Sequence, residues 1–172
     1  MKKYFLIIIT YLFLYPVNAQ VLKTGIKAGG NYTGFAGDAE AKEKIGFYLG
    51  WIAVVQLNKK LHLQPEFIYS EEGAKNLDIN YFKIPLIVKY YVSEKLNLQA
   101  GPQVAFKLKA EQGIDEFTKP LDFALCIGVG YDLFYGAFLE IRYNAGLLNI
   151  HEFQDDFTLK NKGLQLGAGY RF

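Results

Sequence analysis

The sequence predicts an all-β fold: an eight-stranded antiparallel up-and-down β-barrel, closed, spanning a membrane, with a polar filled lumen. Three observations carry this expectation. Apolar and polar residues alternate with period two in eight successive segments of about ten residues or more. The connections between those segments alternate between short and long. The chain opens on an export-type segment, and no later apolar run approaches the length of a spanning helix.

The N-terminus sets the expected compartment. Met1 is followed by Lys2 and Lys3, an apolar run from Tyr4 to Tyr15, and then Pro16-Val17-Asn18-Ala19. A basic start, a short apolar core and small residues at Val17 and Ala19 form the pattern of a secretory signal peptide cleaved before Gln20. The run is too short for a membrane anchor, which needs about 20 apolar residues. The expected organisation is a signal peptide at residues 1–19 and one outer-membrane barrel domain at residues 20–172. Two of the 19 Lys and Arg lie in the signal segment, so the 17 that remain match the 17 Asp and Glu. A domain without net charge has no electrostatic footprint for nucleic acid. The single Cys126 forms no internal disulfide, so the fold must close by other means. With 13 Tyr, 14 Phe and 17 Gly, the composition suits many short strands.

The strands are expected at 22–33, 45–57, 61–71, 80–92, 95–107, 121–133, 136–147 and 162–172. Short connections fall at Asn58-Lys59-Lys60, Ser93-Glu94 and Phe134-Tyr135. Long ones are expected at 34–44, 72–79, 108–120 and 148–161, and they hold most of the loop charge. Short turns at one end and long polar loops at the other characterise bacterial outer-membrane barrels, and an even strand number returns both termini to the short-turn side. The alternation is plainest in the last strand, where Leu164, Leu166, Ala168, Tyr170 and Phe172 share one face, and Gly163, Gln165, Gly167, Gly169 and Arg171 the other.

Alternation alone does not say which face is outside, because a soluble barrel would place its apolar face inward. Mid-strand charges on the polar face argue for an apolar exterior: Lys27, Glu66, Lys83, Lys89, Glu140 and Arg142. So do aromatics gathered at strand ends as interface girdles: Tyr32, Tyr69, Tyr81, Tyr90, Tyr91, Tyr131, Tyr143 and Tyr170. Tyr170 and the terminal Phe172 also have the form of the signal read by the barrel-assembly machinery, an expected partner in biogenesis besides outer-membrane lipid.

Three stretches resemble the PorT-type outer-membrane β-barrel proteins. They are Leu63-Gln64-Pro65-Glu66-Phe67-Ile68-Tyr69-Ser70 with Gly73-Ala74-Lys75, Tyr81 to Tyr91, and Leu98-Gln99-Ala100-Gly101-Pro102-Gln103-Val104. The resemblance implies a barrel in the outer membrane. Its name-giving member is similar to a component of a dedicated protein-secretion machine, so the resemblance also raises an accessory role in such a complex.

Candidate chemistry centres on the inward charges. Lys27, Glu66, Lys89, Glu140 and Arg142 are expected to meet in the periplasmic half of the lumen, where opposite charges pair because an unpaired buried charge costs several kcal/mol. A narrow ion or proton path is the functional alternative to this plug. Lipid-modifying catalysis needs a nucleophile with a base in reach. Ser70 and His62 are about 26 Å apart along one strand, and Ser93 and His151 fall on opposite sides of the membrane, which leaves Ser70 with His151 as the surviving pair. No catalytic residue is assigned. His151, Glu152, Asp155 and Asp156 read as a solvated acidic loop rather than a metal site. Gly128 and Gly130 fall within a strand, out of context for a phosphate-binding loop, so no cofactor is expected. Cys126 reads as an inert filler. The leading expectation is a structural or interaction barrel whose external loops meet a partner. The other readings are an accessory of a secretion complex and a soluble periplasmic ligand-binding barrel.

Overall fold

The structure, a computed structural model, describes residues 22–37, 42–74, 77–110, 118–150 and 159–172. Among these residues eight strands form one closed antiparallel barrel in chain order: β1 (Leu22–Gly37), β2 (Lys44–Gln56), β3 (Leu61–Ala74), β4 (Leu77–Tyr91), β5 (Leu96–Ala110), β6 (Leu121–Asp132), β7 (Ala137–Gly146) and β8 (Leu159–Arg171). Closure joins β1 to β8, from Gly25↔Arg171 to Gly37↔Leu159. The expected fold is the observed one. Expected residues 1–19 and the start of the barrel domain lie outside the described residues.

Local chemistry sets the three tight turns. Asn58 Oδ1 accepts from the amides of Lys60 and Leu61, both at 2.9 Å. Ser93 Oγ accepts from the amide of Leu96 at 3.1 Å. Between β6 and β7 the chain turns with positive φ at Tyr135 (55°) and Gly136 (89°), the handedness that matches the twist of a hairpin. A bulky residue at positive φ is costly, and Tyr135 is 93 % exposed at this end of the barrel.

At the opposite end the strands run further than the alternation suggests. The connection expected at 72–79 is largely paired strand, with Glu72↔Ile79, Gly73↔Asp78 and Ala74↔Leu77 in register. β1, β5 and β8 likewise extend to Gly37, Ala110 and Leu159. Hairpin pairing continues past the apolar belt because hydrogen bonding does not require an apolar face, whereas period-two hydrophobicity ends with the membrane. A register shift at Asn80/Tyr81 inserts one extra residue into β5 near this rim.

A closed barrel has no edge strand on which to place proline, yet Pro65, Pro85 and Pro102 lie on three neighbouring strands. The pairing of β3 with β4 skips two pairs between Pro65↔Leu86 and Ile68↔Lys83. That of β4 with β5 skips two between Pro85↔Gln103 and Val88↔Ala100. Both ladders resume in the same register, so the missing proline N–H groups are absorbed without a slip.

Sidedness is unambiguous. Along β7, Leu139 and Ile141 are 48 % and 52 % exposed, while Glu140 and Arg142 are 4 % and 1 % exposed. Outward residues of the other strands repeat the pattern: Ile26, Leu49, Trp51, Phe67, Leu98, Ile127, Val129 and Leu166 are all exposed. An apolar belt this continuous around a polar interior suits hydrocarbon rather than water. The soluble barrel with an apolar lumen is therefore not the fold found. The expected aromatic girdle needs one correction. Tyr32, Tyr90, Tyr131, Tyr143 and Tyr170 are exposed, but Tyr81 and Tyr91 are buried inside the barrel. They share strand parity with Lys83 and Lys89, and parity, not proximity to a strand end, decides the face.

Replacing Ile141 by Arg is expected to destabilise the folded barrel in a bilayer by about 2–4 kcal/mol. Urea-induced unfolding in liposomes measures the loss, and an unchanged midpoint would contradict the outward apolar belt.

Candidate functional site

The lumen is filled in tiers, and its centre is charged. Lys27 on β1 reaches Glu66 Oε2 on β3 at 2.7 Å and Glu140 Oε1 on β7 at 2.6 Å. Arg142 on β7 meets Glu66 as a two-pronged pair, Nη1 to Oε2 at 2.8 Å and Nη2 to Oε1 at 2.7 Å, and also reaches Glu140 Oε2 at 2.9 Å. Its Nε donates to Gln99 Oε1 at 2.6 Å, and Gln64 Nε2 donates to Glu66 Oε1 at 2.5 Å. Two cations and two carboxylates thus neutralise one another across the barrel, with amides taking up further lone pairs and protons. Satisfaction of this kind is what makes buried charge tolerable.

Glycine makes the room. Gly128 lies beside Arg142 in the β6–β7 register, where a Cβ would meet the Arg142 Cγ at 2.7 Å. Gly167 pairs with Glu140, and a Cβ there would collide with the Tyr48 hydroxyl arriving from β2.

Toward the short-turn end, Phe138 packs with Ile52 and Val54 in a buried apolar tier. Lys89 Nζ lies 5.0 Å from the centroid of the Phe138 ring. Lys89 was expected to share the central network; instead it stacks on this ring, one tier below the carboxylates. Beneath it Arg171 pairs with Asp132 at 2.6 Å, and the Tyr91 hydroxyl donates to Asp132 Oδ2 at 2.8 Å.

Toward the long-loop end, Lys83 pairs with Glu72. Ser70 Oγ donates to Glu72 Oε1 at 2.8 Å and accepts from Asn31 Nδ2 at 2.9 Å. Asn161 Nδ2 donates to Asp122 Oδ2 at 2.8 Å. Lys83 therefore belongs to a second polar tier, separated from the central one along the barrel axis. Above it an apolar cap closes the lumen: Phe35, Ala74, Ile79, Tyr81, Ala105, Ile150 and Leu159 are all buried together. Ile150 comes from the chain between β7 and β8, held by its amide donating to the Leu159 carbonyl at 2.8 Å.

Strand parity brings Lys27, Glu66, Glu140 and Arg142 together. Glu72, Asp122, Gln99 and the Arg171–Asp132 pair also take part in the lumen's polar contacts and are not among the residues the sequence singles out. Glu72 falls in a stretch that the alternation reads as a loop, but its parity with Glu66 and Ser70 is a usable signal. Among the other candidates, Ser70 is fully buried and committed to Glu72, and His62 packs at a 45° tilt against Tyr91 with 4.6 Å between ring centroids. His151, the residue that the sequence pairs with Ser70, lies outside the described residues, as do Glu152, Asp155 and Asp156. Cys126 is buried and donates to Gln103 Oε1 at 3.6 Å.

An apolar exterior, a charge-neutralised interior and an up-and-down closed sheet define an outer-membrane β-barrel. The chain belongs to the outer membrane protein beta-barrel domain family, whose model matches residues 18–152. No curated protein matches it. Among solved structures it is similar to Neisserial surface protein A, with 15 % identity, 87 % of this chain and 97 % of that one covered, and a TM-score of 0.58. It is also similar to Ail, the attachment invasion locus protein of Yersinia pestis, with 17 % identity, coverages of 87 % and 98 %, and a TM-score of 0.55. A de novo designed transmembrane β-barrel aligns with 11 % identity, coverages of 87 % and 95 %, and a TM-score of 0.51. At these identities the likeness is one of fold.

Removing one partner from the central network strands the others in a low-dielectric interior. Arg142→Met is expected to cost about 3–5 kcal/mol, and Glu66→Gln a comparable amount. The double variant should fall short of the sum by about 1–3 kcal/mol because the two share one interaction. Urea unfolding of the four proteins in liposomes checks this.

Proposed function

We propose that the chain is a non-catalytic outer-membrane barrel that serves as a rigid platform, presenting the long connections outside the cell to a partner. The observation that carries this reading is the tiered lumen: among the described residues an apolar cap, a second polar tier, the neutralised central tier and the Phe138 tier fill the barrel between its two mouths. Filling of this kind favours display over transport, and it disfavours the narrow ion path. In outer-membrane barrels the short turns face the periplasm and the longer loops the exterior, which assigns display to the ends at 38–41, 111–117 and 151–158.

A second reading, an accessory role in a protein-secretion complex, is supported by the stretches on β3, β4 and β5 that resemble PorT-type proteins. It predicts a membrane or periplasmic protein that co-purifies with the barrel after mild detergent extraction.

Export by residues 1–19 and assembly through Tyr170 and Phe172 complete the proposal. Both aromatic rings are exposed at the barrel's lower rim, with 6.5 Å between centroids, and are free to be read by an assembly machinery.

The test is cell fractionation with heat-modifiable gel mobility, followed by planar-bilayer recording. The expected result is a detergent-dependent outer-membrane band that shifts on boiling, and no conductance steps. Sustained single-channel currents would overturn the platform reading. Deleting Phe172 is expected to lower the amount of heat-modifiable barrel in the outer membrane several-fold, while wild-type levels would remove its assembly role.

A further inference from the structure

The second polar tier carries a charge that nothing described around it cancels. Glu72 and Lys83 pair with each other. Asp122 is 3 % exposed, and its Oδ2 accepts from Asn161 Nδ2 at 2.8 Å. Its Oδ1 is buried without a hydrogen-bond partner, and Asp122 enters no ion pair among the described residues. Lys162 passes nearby on β8, but its ammonium is committed to Glu43 at 3.4 Å, where both side chains are 37 % exposed. The buried tier therefore sets two carboxylates against one ammonium. The central tier, by contrast, balances Lys27 and Arg142 against Glu66 and Glu140.

Small residues leave room in front of the unmatched carboxylate. Ala124 pairs with Gly146 across β6 and β7, and Asn144 pairs with Gly163 across β7 and β8. These positions border a cavity of about 10 Å³, lined also by Glu72, Lys83 and Asp122. That is space for one body of a water molecule's size. Asn144 lines it as well, is 6 % exposed, and has a partner for neither Oδ1 nor Nδ2 among the described residues. A water molecule meets such polar atoms but leaves the charge uncancelled, and a buried charge without a counter-charge is costly. A divalent ion turns the excess from negative to positive, and calcium takes about six to eight oxygens, more than one small cavity offers.

We propose that this cavity binds one small monovalent cation of sodium's size, with Asp122 Oδ1 supplying the charge and Asn144 Oδ1 a neutral oxygen. Oxygen is the donor that a hard cation prefers. The ion is held rather than conducted, because the central network closes the lumen below it and the apolar cap closes it above. The assignment rests on the charge of the lumen and not on the display role of the outer loops.

Urea unfolding of the full barrel in liposomes tests it, at constant ionic strength, as sodium chloride replaces choline chloride. Choline is too large for the cavity. Sodium is expected to raise the midpoint in a saturable way, and at ten times its dissociation constant to raise the folding constant about elevenfold. Asp122→Asn keeps the shape and the acceptor for Asn161 but removes the charge. Its midpoint should be the same in both salts, and in choline no lower than that of the wild type. Asn144→Leu, which fills the cavity and leaves Asp122 in place, should also lose the sodium response. Equal wild-type midpoints in the two salts, a sodium response that survives in either variant, or an Asp122→Asn midpoint below the wild type's in choline would overturn the proposal. Stabilisation of the wild type by acid in choline, with no response to sodium, would assign the charge to a bound proton instead and overturn it equally.

Discussion

The requirement that every backbone N–H and C=O in hydrocarbon be paired governs this molecule. It forces the sheet to close, and closure at eight strands fixes an interior only wide enough for side chains. What fills that interior is then a packing problem with charged pieces. Arg142 spans from β7 to a carboxylate on β3, and it does so because Gly128 beside it has no side chain. Tyr48 crosses from β2 toward Gly167 on the same principle. The lumen's large residues and its glycines are therefore one solution, in which each long side chain needs an empty position to grow into.

Neutralisation follows from the same confinement. A charge in so narrow a space cannot keep its hydration, so it must find an opposite charge or a ring. Lys27 and Arg142 find two carboxylates, and Lys83 finds Glu72. Lys89 takes the other solution and lies against Phe138, where a ring face offers partial negative charge. Arg171 approaches the same ring at 5.0 Å while pairing with Asp132. Phe138 thus joins the polar mouth to the charged centre and closes the passage between them.

Most of this architecture was legible from alternation, because in a membrane barrel one period-two pattern reports both the fold and the sidedness. Glu66, Glu140 and Arg142 could be placed inward by parity alone, and they meet. Two things were not legible. Depth along the axis was one: Lys83 and Lys89 have the right parity, yet they sit above and below the central tier, since the mutual stagger of strands is set by pairing rather than by any single strand. The upper ends of the strands were the other. There Glu72 and Asp78 lie in paired segments whose sequence looks like loop, because solvent outside the apolar belt removes the alternation but not the hydrogen bonds. Tyr81 and Tyr91 fail as girdle residues for a related reason, in that an aromatic near a strand end reads as interfacial until its parity is followed.

The central network also determines register. Glu140 and Arg142 flank the lipid-facing Ile141, and a slip of β7 by one residue against β6 and β8 would turn both charges into hydrocarbon and Ile141 inward. A misplaced Arg142 would cost about 2–4 kcal/mol at the bilayer centre and a misplaced Glu140 less, and Glu66 and Lys27 would at the same time lose their partners. No apolar set of the same volume could impose such a penalty, because a slipped apolar residue is as comfortable in lipid as in the lumen. With weakened ladders at Pro65, Pro85 and Pro102 on one side of the barrel, the charges on the other side hold the alignment that the prolines leave loose. Buried charge is thus retained here less for the stability of the correct fold than for the instability of its one-residue neighbours.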